Sequence, residues 1–91
     1  MQILIPFKND EFQLQEIDGE QVLYNAGLPD VLYLNQTSAM IWLLCDGIRS
    51  DQEIIKMIED CYPEQATAIK DDVVTIIKEF EDIGAMTLIQ T

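Results

Sequence analysis

A chain of 91 residues that is 48% hydrophobic and 24% charged has the make-up of one small domain, too apolar to be disordered and too short for a two-domain enzyme. It carries 5 basic and 17 acidic residues, a net charge of −12, and no histidine. With only Lys8, Arg49, Lys56, Lys70 and Lys78 to neutralise phosphate, nucleic-acid binding and an anionic membrane surface are disfavoured, and acid–base or metal chemistry lacks its commonest residue.

The opening Met1–Lys8 has no basic flank, and its apolar run is too short for a signal peptide or a membrane span, so a cytoplasmic, reducing location is expected. Phe12 and Leu14 alternate with Glu11, Gln13 and Gln15, the period of a half-buried strand. Asp18-Gly19 then signals a two-residue hairpin turn, and Gln21 to Asn25 is the return strand. After a turn at Gly27-Leu28-Pro29-Asp30, Val31-Leu32-Tyr33-Leu34 forms a third strand that is apolar on both faces. Such a run predicts cover on both sides.

Asn35 caps a first helix over Thr37 to Asp46, which is apolar almost all round and predicted to be central, with Gly47 as its exit. Ser50-Asp51-Gln52-Glu53 is a capping box, followed by an apolar face of Ile54, Ile55, Ile58, Cys61 and Tyr62 up to Pro63. A third helix, from about Gln65 to Ile83, sets Ala66, Ile69, Val73, Ile76, Ile77 and Phe80 on one stripe. Val74 projects about 100° from that stripe, on a flank shared with Lys70, Ile77 and Glu81. Gly84 ends the helix, and Met86 to Ile89 is a short extended tail. The expected fold is α+β: a three-stranded antiparallel sheet followed by three helices, βββααα, the content of a small winged helix-turn-helix over residues 1–91. A third helix with two lysines against five carboxylates would repel phosphate where such folds commonly bind it.

No residue set reads as an active site. Asp71-Asp72, Glu59-Asp60 and Glu81-Asp82 are adjacent pairs that do not face each other on a helix. Thr37 and Ser38 have no nearby base, Asp46-Gly47 lacks the further ligands of a calcium loop, and no glycine-rich phosphate loop is present. Cys45 and Cys61, 16 residues apart, suit neither a zinc site nor a redox pair and are expected to be reduced, packed thiols. No catalytic residue, metal or cofactor is therefore predicted, and interaction is left as the function. The residues themselves permit two readings of Val31–Leu34. It is plain core, or it is an edge that an extended peptide joins as an added strand, with Val74 and Ile77 supplying pockets.

The succession Val31-Leu32-Tyr33-Leu34-Asn35-Gln36-Thr37, Ile41-Trp42, Leu44-Cys45-Asp46-Gly47, Ile54-Ile55, Tyr62-Pro63, Asp72-Val73-Val74, Phe80 and Ile83-Gly84-Ala85-Met86 resembles the PqqD family, over roughly residues 10 to 89. The resemblance implies a winged helix-turn-helix without catalysis of its own. It further implies a protein that binds the leader of a ribosomally made precursor peptide between strand three and helix three. The peptide would be presented to a modifying enzyme, often a radical S-adenosylmethionine enzyme, in pyrroloquinoline quinone (PQQ) synthesis or another modified-peptide pathway. Carried over by position, Val31, Leu32, Tyr33 and Leu34 would pair with the leader, and Lys70, Val73, Val74 and Ile77 would line the opposite wall. The acidity of this chain departs from that picture and calls for a guest or enzyme with basic segments. The alternative is an acidic winged-helix module that docks on a protein or forms a homodimer, strand three pairing with its symmetry mate.

Overall fold

A computed structural model describes residues 3–29 and 31–90. The chain runs through β1 (Leu4–Lys8), β2 (Phe12–Ile17), β3 (Glu20–Asn25), β4 (Val31–Leu34), α1 (Gln36–Leu44), α2 (Asp51–Cys61), a 3-10 turn at Pro63–Gln65, α3 (Ala66–Asp82) and β5 (Met86–Gln90). The order is ββββαααβ in two sheets, which corrects the expected βββααα winged helix-turn-helix with its single three-stranded sheet. What overturns that expectation is the pairing of β1 with β5, antiparallel from Leu4 opposite Gln90 to Lys8 opposite Met86. Both segments are five residues long and neither alternates cleanly. Their pairing joins opposite parts of the sequence, where local periodicity holds no information.

The second sheet has the order β2-β3-β4, all antiparallel. Its hairpin turn forms as the residues demand, with Asp18 and Gly19 at φ 52° and 83°. Leu14, Leu23 and Leu32 lie side by side across the three strands, and this row packs against the helices. Ile41, Trp42, Ile54, Ile58, Val73 and Phe80 are among the core side chains it meets. Trp42 and Phe80 meet edge to face, centroids 5.3 Å apart at 74°, and Lys8 Nζ lies 5.3 Å from the Trp42 ring centroid, a cation–π contact that ties β1 to α1.

The caps are local chemistry and form as predicted. Asn35 Oδ1 accepts from the Ser38 N–H at 2.8 Å, and Ser50 and Glu53 exchange the two bonds of a capping box at 3.1 and 3.0 Å. Helix α1 stops at Leu44, two residues before the exit expected at Asp46, and Gly47 takes its φ of 80° in the loop beyond. The end of α3 is a Schellman motif: the Gly84 N–H donates to Glu81 O at 3.0 Å and the Ala85 N–H to Phe80 O at 2.9 Å. That geometry needs the φ of 80° that Gly84 supplies. Asn9 then grips this exit, its backbone N–H donating to Ala85 O at 2.8 Å and its Nδ2 to Gly84 O at 3.1 Å. Cys45 is buried as expected, whereas Cys61 and Tyr62 are exposed at the end of α2 and are not part of the core.

Candidate functional site

The strand singled out by its sequence is the terminal strand of its sheet, paired with β3 on one side. The expectation of cover on both faces is corrected by its side chains. Leu32 and Leu34 are half-buried toward the helices, while Val31 is 46% and Tyr33 65% exposed on the other face. Asp30, counted with this strand in the sequence, lies outside the described residues. At the opposite edge, β2 carries Gln13, Gln15 and Glu16, which deter pairing; β4 has no charge at all.

Two hollows flank β4. One, of about 340 Å³, is lined by Phe12, Leu23, Leu28, Pro29, Val31, Leu32 and Ile83. The other, broad and open at about 820 Å³, is bounded by Tyr33, Leu34, Asn35 and Gln36 with Ala39, Met40 and Leu43 of α1 and Gly19, Glu20 and Gln21 of the hairpin. Apolar side chains thus line both ends of an unpaired edge.

The expected helix wall lies elsewhere. Val73 and Ile77 are buried, Val74 is 52% exposed, and the three line a hollow of about 180 Å³ with Leu4, Ile55 and Leu88, bordered by Asp51, Lys78 and Glu81. Lys70 is exposed and lines none of these hollows. The structure therefore brings Val73, Val74 and Ile77 together against β1 and β5, and brings Val31 and Leu32 together with Ile83. Val74 thus lies on the flank of α3 that meets β1 and β5, whereas Ile83, the residue that caps the helix, meets the β2–β4 sheet. Leu28 and Pro29 were read from the sequence as a turn and Ile83 as the helix exit, none of them as a site residue. The available signal was an apolar residue inside an otherwise polar turn and another lodged between Asp82 and Gly84.

The titratable groups near α1 are structural. Burial pushes the Cys45 thiol up to about 12, with Lys8 opposing and Asp46 reinforcing the shift, so this sulfur is an inert thiol. Asp46 is held below the usual carboxylate range, first by the Arg49 backbone N–H, then by that of Ile48, each donating to Oδ1 at 2.9 Å. The Arg49 guanidinium adds a bond to Oδ2 at 2.8 Å. The carboxylate is spent on ordering the α1–α2 loop. Among the described residues no group of three or more His, Cys, Asp or Glu could hold a metal ion, and no helix is long and apolar enough to cross a membrane.

Compared with protein-family models, residues 20–85 match the one described as Coenzyme PQQ synthesis protein D (PqqD). The matched span takes in β3, β4 and all three helices, and leaves out β1, β2 and β5. No curated protein and no solved structure matches the chain.

Proposed function

The chain belongs to the PqqD family, whose description ties it to coenzyme PQQ synthesis, and from that premise we propose that it is a non-catalytic carrier of a precursor peptide. The leader of a ribosomally made precursor adds to β4 as a fourth strand, and the carrier presents it to a modifying enzyme of the radical S-adenosylmethionine kind, in the cytoplasm. The observation that carries this reading is β4 itself, an uncharged terminal strand with an apolar hollow at each end. Its free N–H and C=O groups supply affinity, and side chains of the guest that point toward the helices supply selectivity.

Val31, Leu32, Tyr33 and Leu34 are the pairing residues in this proposal. The wall beside them is Ile83 with Leu28 and Pro29, while Val73, Val74 and Ile77 serve the junction with β1 and β5. The net charge of −12 calls for a leader with lysine or arginine beside its apolar residues, bound more weakly as salt rises.

Titrating isotope-labelled protein with the leader of a precursor encoded beside it tests this. Amide shifts are expected at 31–35, 28 and 83. An unchanged spectrum at high micromolar peptide, or shifts confined to 70–78, would overturn the proposed mode.

A further inference from the structure

We propose that the outer face of the β2–β4 sheet is a docking surface for a protein whose contact region is apolar at its centre and ringed by lysine and arginine. Its identity as the enzyme that modifies the carried peptide rests on the function proposed above; the surface does not. By the alternation of strands, Gln15, Ile17, Val22, Tyr24, Val31 and Tyr33 lie on the face opposite the Leu14–Leu23–Leu32 row, and Val22 among them is itself buried at 3% exposure. Ile17 is 51%, Val31 46% and Tyr33 65% exposed. Tyr33 and Gln15 flank Val22 in one cross-strand row, and the Tyr24 hydroxyl joins Gln13 and Gln15 at 3.4 Å. The accessible apolar side chains of this strip are thus Ile17, Val31 and Tyr33, with glutamines and the Tyr24 hydroxyl beside them, and an exposed tyrosine is a favoured interface residue.

Charge commits the occupant. Between Lys8 and Arg49 the sequence holds seven carboxylates and no basic residue. Asp18 and Glu20 border the strip at the hairpin, and the ion pairs among the described residues, Arg49–Asp46 and Lys56–Asp60, leave that border without a countercharge. A second copy would set two acidic rims against each other, so a cationic rim is the complement. Size argues for a transient encounter. Three strands about 4.8 Å apart and about 17 Å long offer roughly 250 Å², against about 800 Å² per partner in a stable complex. A peptide strand added at β4 would widen the face and strengthen docking.

The test uses the full chain and the purified modifying enzyme encoded beside it, with Ile17→Glu and Asp18→Asn, the second keeping a residue that suits the turn. Ile17 ends β2, with β3 between it and β4, Asp18 follows it in the turn, and neither lines a hollow that flanks β4. Enzyme affinity is expected to fall about tenfold or more in Ile17→Glu, about threefold in Asp18→Asn and with rising salt, while leader affinity stays within about twofold and the amide spectrum keeps its native dispersion. The wild-type salt series needs no variant and stands if either one fails to fold. If docking is lost in the variants although no leader binds the wild type, the surface holds and the carrier reading falls. Unchanged docking in both variants, or no association with the enzyme at high micromolar concentration, overturns the surface. So does a concentration-dependent dimer, seen by sedimentation, that Ile17→Glu abolishes, since it assigns the face to a second copy.

Discussion

The two sheets flank α3 and solve opposite problems. The β1–β5 pair is anchored: Lys8 reaches the Trp42 ring, Asn9 holds the α3 exit, and the proline at position 6, fully buried, cannot donate to a ladder. Its contact with α3 is the small hollow around Val74, enclosed by Leu4, Ile55 and Leu88. The β2–β4 sheet is open, ending in an uncharged strand with one face uncovered. Natural sheets blunt edges with charge, proline or a covering element. β1 carries proline and lysine and β2 a glutamate, whereas β4, like β5, carries neither charge nor proline. Of these two edges, β4 is the one with a hollow at each end, which is why the proposed guest strand is placed there.

The comparison is tested most severely at the row that joins the open sheet to the core. Leu23 is 1% exposed between Leu14 and Leu32, and Leu23→Ala is expected to lower stability by about 2–5 kcal/mol. That is a large share of the total for a domain of this size; urea denaturation measures it. A loss below about 1 kcal/mol would mean that the sheet is held from elsewhere.

Next comes the difference between the flanks of α3. Leu32→Asp is expected to weaken leader binding about tenfold or more, while Val74→Asp changes it less than about twofold; calorimetric titration of both separates the two hollows. Equal losses would join them into one groove. At the start of α2, away from β4, Ser50→Ala removes one half of a capping box and should cost about 1 kcal/mol without altering leader affinity. A chemical melt and a titration read the two quantities independently.

The remaining effects are confined to the extremes of pH. The Cys45 thiol is raised from 9.0 to about 12 in the folded chain. The unfolded chain therefore releases its proton first, so this residue's contribution is present below pH 9.0 and declines as pH rises from 9.0 toward 12. Cys45→Ala should flatten that alkaline decline in a pH series of melts. Exposed Cys61 should react with a thiol reagent at pH values where buried Cys45 does not. Asp46 has the opposite sign: its folded value lies below the ordinary 3.8, so its contribution is present above 3.8 and lost as pH falls through the lower folded value. Asp46→Asn should lessen the acid sensitivity of the loop that Asp46 orders.

Much of this molecule was legible residue by residue because the controlling forces are short-ranged. A cap, a type I′ turn or a Schellman exit is settled within about six residues, so Asn35, Ser50 with Glu53, Asp18-Gly19 and Gly84 could be assigned from the sequence and appear in the structure. Helical periodicity likewise picked out Ile69, Val73, Ile77 and Phe80 as core. The doubly apolar Val31–Leu34 was visible as the unusual strand. Its composition was compatible with full burial and with an open edge alike, since both require uncharged residues.

Long-range contacts settled the rest. Pairing of Leu4–Lys8 with Met86–Gln90 turned an apparent lead and tail into a second sheet. That sheet took the Val74 flank of α3, which left Ile83 to face Val31 and Leu32. The angle of Val74 around its helix follows from 3.6 residues per turn, but what stands opposite it depends on how the whole chain closes. Net charge and the absence of histidine were determined by the amino-acid sequence and restrict the chemistry this chain can perform. Which apolar surface was buried and which was left exposed depended on packing between segments far apart in the chain, where no local rule reaches.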